Sequence, residues 1–200
     1  FKTNNNLYYS QSVHNWRRTS EDIDSSGFLT NSILDFTYLS WAKEMGKLGE
    51  QILLSKEILS VLQEIGTTET YSMWQNMLFD SSTGTIDHFD SWYLDTNPPG
   101  SLIGVWVALE NIDDANGVFH VYPKSHKTKS EVESLGHDDF KSYCSKLSEN
   151  FSKYPAKLSK GDCLFWHPNL LHGSSHQGRL GFSRKSLTAH YQPLRCKRSN

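Results

Sequence analysis

The residues with the clearest chemical meaning are His88-Phe89-Asp90, set in the stretch TGTIDHFDSWYLD over 83–95. In an extended strand, positions i and i+2 point to one face, so the imidazole and the carboxylate project together while Phe89 turns the other way. A neutral imidazole beside a carboxylate makes two legs of a metal site. With a second histidine the set becomes the two-histidine, one-carboxylate facial triad, which leaves open positions on a non-haem Fe(II) ion. A His-x-Asp alone occurs in many chains, so its meaning depends on what the rest of this chain can set against it.

Elements able to position such a pair surround it. Short β-rich runs are predicted over Tyr71 to Phe79, Thr85 to Trp92, Leu102 to Leu109, Val118 to Tyr122, Cys163 to Trp166 and Arg184 to Tyr191. Turn signals separate them at Pro98-Pro99-Gly100, Asn116-Gly117, Lys160-Gly161-Asp162 and Gly178 to Gly181. Many short strands with turns between them predict a sandwich or barrel. From Asn31 to Ile65 the pattern is helical instead. Trp41, Met45, Leu48 and Ile52 recur at three- and four-residue steps. Ile58, Val61, Leu62 and Ile65 repeat the stripe after Ser55, an N-cap, and Gly66 closes the helix. Within the lysine-rich interruption from Lys124 to Pro155, Phe140, Cys144, Leu147 and Phe151 stand at helical spacing and predict a short amphipathic helix over the sheet.

The chain's 200 residues suffice for one domain with a sizeable core and are tight for two. Residues 1–200 are therefore read as one domain: a helical N-terminal region over 1–66, a β core over 67–193 with an insertion at 124–155, and a basic tail over 194–200. Hydrophobic residues at 36% and a net charge of −2 indicate a soluble globular chain with no general pull toward nucleic acid or anionic membrane. Arg195-Cys196-Lys197-Arg198 is the local exception and reads as a frayed, solvated end. Three cysteines at unpatterned spacings, Cys144, Cys163 and Cys196, argue against a disulfide framework or a cysteine-based zinc site, and for a reducing, cytoplasmic setting. The longest apolar run, Leu102 to Leu109, is too short to span a bilayer. The chain starts at Phe1 rather than Met, which leaves open what precedes it.

The C-terminal half supplies what the pair lacks. The segment GDCLFWHPNLLHGS (161–174) carries a strand and a further histidine region, and Arg184 heads RKSLTAHY. Together with His88-Phe89-Asp90, VWVALENIDDANGVFHVYPKSH (105–126) and the helical LLSKEILSVLQEIG (53–66), these stretches resemble the phytanoyl-CoA dioxygenase family of Fe(II)- and 2-oxoglutarate-dependent oxygenases over residues 50–193. The resemblance implies a mainly β fold with flanking α: a double-stranded β-helix, or cupin-like jelly roll, with the N-terminal helices packed on one sheet. It assigns the third iron ligand to His172. Ser174 would then share the face of His172 and bond the far carboxylate of 2-oxoglutarate, and Arg184 would pair with that carboxylate. An arginine pointing into a barrel without such a partner would cost about 3–5 kcal/mol. Trp106 and Gln75 occupy positions where the family touches the cosubstrate.

The implied activity is hydroxylation of a small organic substrate by O2, with 2-oxoglutarate converted to succinate and CO2. A carboxylate at Asp90 argues against halogenation, because related halogenases keep that position small. Two other classes retain the same ligands: a non-catalytic metal-binding jelly roll, which has no need of Arg184, and a metal-dependent isomerase or lyase, which turns over without O2. The chain departs from the family at Pro123-Lys124-Ser125-His126, where Pro-Gly-Ser-His is common. It departs again at His176-Gln177 and Gly178-Arg179, where Asn and Ser are usual.

The remaining histidines have plainer readings. His167, His172 and His176 do not form a metal-binding helix, because Gly173-Ser174-Ser175 opposes one. His120, His126 and His190 read as hydrogen-bonded structural residues, and His14 and His137 as surface. Asp87 should face away from the ligand pair. Arg179 rivals Arg184 but sits in a Gly-flanked loop. Trp92 and Tyr93 either line a substrate pocket or pack the core, and the sequence leaves both open.

Overall fold

Apolar strands alternating with polar turns close on one another as antiparallel sheets in the computed structural model, which describes residues 23–39, 42–66, 70–128, 132–176 and 181–199. The elements begin with β1 (Ile33–Leu34), α1 (Lys43–Leu53), α2 (Lys56–Ile65), β2 (Tyr71–Phe79), β3 (Thr83–His88), β4 (Asp95–Asn97) and β5 (Ile103–Ala108). They continue with β6 (Phe119–Val121), α3 (His137–Ser148), β7 (Tyr154–Ala156), β8 (Cys163–Trp166), β9 (His172–His176), β10 (Ser186–Pro193) and β11 (Lys197–Ser199). A five-stranded sheet has the order β1-β2-β10-β5-β8, a four-stranded sheet the order β3-β9-β6-β7, and β4 pairs with β11.

Alternation along the strands sorts side chains between two cores. On β5, Val105 and Val107 join Leu187, Ala189 and Tyr191 of β10 in a cluster covered by Leu53, Ile58 and Leu62 of the N-terminal helices. Trp106 and Ala108 turn to the opposite face and meet Phe119, Val121 and Ala156 of the four-stranded sheet. All six residues of β5 are buried, which is why this strand reads as an unbroken apolar run. This is the jelly roll with helices on one sheet that the resemblance implies.

Local rules account for the helices, with two corrections. The first is that the helical pattern read from Asn31 begins only at Lys43, because Ile33 and Leu34 pair with Leu78 and Met77 as β1. Ser55 caps α2, its Oγ accepting from Ile58 N at 3.5 Å, and the helix stops at Gly66. Tyr191 OH donates to Leu53 O at 2.6 Å and ties the helices to β10. The stripe predicted for α1 does not form its buried face: Leu48 is 61% exposed and Ile52 lies at the surface, whereas Gly46, Gly49 and Leu53 are buried. A Cβ on Gly49 would overlap the ring of Phe36, and one on Gly46 would stand 2.7 Å from Thr37 O, so α1 docks through a glycine notch instead of a leucine stripe. Trp41, the first member of the predicted stripe, lies outside the described residues.

The predicted amphipathic helix is α3. It buries Phe140 and Cys144 against Phe89, Tyr122 and Leu171 on the outer side of the four-stranded sheet. The basic end is not frayed: Lys197, Arg198 and Ser199 pair with Asn97, Thr96 and Asp95, and Arg198 lies over the Trp74 ring at 4.7 Å. Lys124, where the family commonly has glycine, adopts the left-handed conformation with φ 76°. A side chain is strained there by about 1–2 kcal/mol.

Candidate functional site

His88 ends β3 and His172 begins β9, and the two are directly opposed across the strand pair. Their rings lie 4.3 Å apart. The strand predicted to run to Trp92 stops at His88, and Asp90–Trp92 forms a single 3-10 turn, with Tyr93 N and Leu94 N both bonding Asp90 O at 2.7 Å. Asp90 therefore converges on His88 because the chain turns inward, rather than through strand alternation. Phe89 does turn the other way, into the cluster beneath α3.

The donor atoms form a compact set. Nε2 of His88 lies 3.7 Å and Nε2 of His172 3.5 Å from Asp90 Oδ1, and the ligand atoms of the three residues lie within 4.8 Å of one another. Ligands held about 2.0–2.2 Å from a divalent ion sit about 3–3.5 Å apart, close to this spacing. Each imidazole uses Nδ1 to bond the carbonyl two residues back, His88 to Ile86 O and His172 to Leu170 O, both at 2.8 Å. Those bonds assign the proton to Nδ1 and turn the Nε2 lone pairs inward, the usual outer-sphere support of a metal-binding histidine.

The charges agree. Burial, reinforced by repulsion from His172, lowers the pKa of His88 to about 4, so it is neutral at pH 7. Burial acts to raise the Asp90 pKa, but His172 and His190 outweigh it and hold the carboxyl well below its ordinary range. Burial acts to lower the His172 pKa, yet attraction to the Asp90 carboxylate leaves it raised. An ionised carboxylate and two imidazoles are the donor set of the facial triad.

The same cavity contains Arg184, which is 3% exposed. Its guanidinium lies 5.2 Å from the Phe79 ring and 5.7 Å from the Trp106 ring, donates to Gly117 O at 3.4 Å, and leaves Nε without a partner. Among the described residues no carboxylate pairs with it, and burial alone pulls its pKa down to about 10. A buried fork of donors without a counter-charge fits a carboxylate-bearing ligand. Ser174 faces the same space, its Oγ donating to Thr85 Oγ1 at 3.1 Å. Trp106 forms the wall beneath Arg184, and its ring stacks on Phe119 at 5.1 Å. Gln75 sits opposite His190 on β2, but the cavity wall from that strand is made by Met77 and Phe79.

Trp92 and Tyr93 part company. Trp92 lies flat on Phe140 of α3, with 4.5 Å between centroids, whereas Tyr93 is 50% exposed and stands edge-on to His88 at 5.8 Å. Asp87 does face away from the ligands, accepting from His120 Nε2 at 2.6 Å and Tyr122 OH at 2.7 Å. His190 corrects its structural reading. It lines the cavity with Nε2 3.3 Å from Asp90 Oδ2, and neither ring nitrogen makes a hydrogen bond. Alternation counted onward from Arg184 would have found both Thr188 and His190, which share its cavity. Arg179 and His14 lie outside the described residues.

Comparison with known proteins agrees with this geometry. The sequence model of the phytanoyl-CoA dioxygenase (PhyH) family matches residues 4–180. Peroxisomal phytanoyl-CoA dioxygenase of Bos taurus is 30% identical over 114 residues, 54% of this chain and 34% of the relative. The chain thus spans about a third of the length of that relative. Among solved structures, the epimerase SnoN in complex with Fe3+, alpha ketoglutarate and nogalamycin RO aligns with a TM-score of 0.68 at 17% identity, covering 83% of this chain and 64% of that one. The non-heme alpha ketoglutarate dependent carbocyclase SnoK aligns with a TM-score of 0.69 at 14% identity, covering 90% and 68%. At these identities the structural matches establish the shared fold.

Proposed function

The chain belongs to the phytanoyl-CoA dioxygenase family, and on that premise we propose that it is an Fe(II)- and 2-oxoglutarate-dependent dioxygenase that hydroxylates a small organic substrate with release of succinate and CO2. In this reading His88, Asp90 and His172 hold the ion, while Arg184 and Ser174 hold the distal carboxylate of 2-oxoglutarate. One observation carries it: three convergent ligand atoms share a cavity with a buried guanidinium that no carboxylate of the described residues neutralises. A metal-binding module that oxidises nothing would need the first feature and not the second, and would bear the desolvation cost of Arg184 without return.

When bound, iron and 2-oxoglutarate supply an O2-driven two-electron oxidation coupled to decarboxylation of the cosubstrate. The protein's own part is positional. The Nδ1–H bonds to Ile86 O and Leu170 O keep both imidazoles in the ligating tautomer. Phe79 and Trp106 flank the Arg184 guanidinium, limiting its motion and excluding water from its faces. Tyr93, half exposed at the edge of His88, is suited to contact substrate, and Trp92 supports it from beneath α3. A carboxylate at Asp90 fills the position that related halogenases keep small, which favours oxygen transfer over halogen transfer. Epimerisation and ring closure, the activities named for SnoN and SnoK, are the outcomes from which product analysis must distinguish hydroxylation.

Anaerobic titration with Fe(II) and 2-oxoglutarate is the direct test. A visible charge-transfer band, followed in air by O2-dependent succinate formation, is expected. Absence of the band, or turnover that proceeds without O2, would sink the proposal.

A further inference from the structure

We propose that Trp166 is the positioning residue of the metal site: its indole N–H holds the outer oxygen of Asp90, so that the carboxylate presents a single oxygen, Oδ1, between His88 and His172. This rests on the metal-site reading above.

Trp166 Nε1 donates to Asp90 Oδ2 at 2.6 Å, with both residues buried. A carboxylate whose second oxygen is unrestrained can rotate and bind an ion through both oxygens, which would use a coordination position needed for other ligands. The indole prevents that rotation with a charge-assisted hydrogen bond, the stronger kind inside a protein. Tryptophan suits the task because Nε1–H only donates. It cannot compete for the ion as a histidine would, and it carries no charge to alter.

The indole is itself held in place. Gly104 on β5 is the register partner of Trp166, and a Cβ there would overlap ring atoms Cε2 and Cζ2. Phe119 lies 5.2 Å from the indole on one side and the His172 ring 5.3 Å on another. Trp166 therefore contacts two of the three ligands while sitting on the opposite sheet. His190 Nε2 faces the same Oδ2 at 3.3 Å, against 2.6 Å for the indole, so the indole is the shorter contact and the donor that orients the carboxylate.

Trp166→Phe keeps a ring and removes the donor. Co(II) titrated into the intact variant is expected to bind 10–100-fold more weakly than into the wild type. Its d–d absorption should also change, because Asp90 no longer binds through one oxygen. Gly104→Ala, which displaces the ring while keeping the N–H, should alter the spectrum in the same direction. Unchanged affinity and spectrum in Trp166→Phe overturn the proposal. So does weaker binding with a wild-type spectrum, which general loosening would produce. If the variant does not fold, the wild type carries the test: one of its six indole N–H resonances should exchange slowly and move on addition of Zn(II). If none does, the proposal fails. A wild type that binds no divalent ion would instead sink the metal-site reading, so the two failures are told apart.

Discussion

The four-stranded and five-stranded sheets contribute different halves of the site. His88 and His172 are register partners on β3 and β9, and Asp90 follows β3 by one turn, so the ligands depend on a single antiparallel pair. Arg184, Trp106, Thr188 and His190 come from β5, β10 and the residue stretch leading into it, across the cavity. On the proposed reading, the ion's ligands come from one strand pair and the turn after it, whereas a cosubstrate site requires two sheets facing each other at a fixed separation.

The sharpest way to break the first half is Asp90→Ala, which should lower divalent-metal affinity by more than about a hundredfold and abolish hydroxylation. Calorimetric titration checks the first and product analysis the second, and undiminished turnover would count against the assigned ligand. Breaking the second half should look different. Arg184→Met should leave the Co(II) spectrum intact and erase the 2-oxoglutarate charge-transfer band. Because it removes a buried charge without a counter-ion, it should also stabilise the metal-free protein by about 1–4 kcal/mol in urea denaturation. Destabilisation by several kcal/mol would mean that Arg184 is a structural residue with a partner in the fold.

A third change tests how the ligand pair is braced from behind. A Cβ on Gly173 would stand 2.6 Å from Asp87 Oδ1, 2.8 Å from Thr85 O and 3.1 Å from His120 Nε2. Gly173→Ala should therefore cost about 1–3 kcal/mol and weaken metal binding by shifting His172, measurable by thermal denaturation and titration. The smallest effect lies outside both halves. Lys124→Gly relieves a left-handed backbone and should add about 1 kcal/mol of stability without changing metal affinity.

What could be read in advance follows from how local each signal is. β2 and β8 begin and end at the predicted residues, because their turn and breaker residues are adjacent in the chain. Ser55 announced α2 for the same reason. β9 does not follow from local pattern, since HGSSH is polar and glycine-containing and owes its extended form to pairing with β3 and β6 on either side. The buried face of α1 departs from its apolar stripe because glycines bury by close approach, which hydrophobic periodicity does not register. Trp166 carries no role in the sequence reading and His190 only a structural one, although the two-residue period of their strands points both inward.

By itself the residue pattern determined the His88-Phe89-Asp90 pair and a run of short strands that makes a sandwich or barrel, while the resemblance to a family of known motifs added His172 and Arg184. Side-chain type and local period are written residue by residue, and they survive without knowledge of neighbours. Only the tertiary structure decided that Asp90 enters from a turn, that Trp166 grips its outer oxygen, and that Arg184 stands without a counter-charge in the same cavity. Those are distances between residues far apart in the chain, and they are set by how two sheets pack, a quantity no local pattern contains.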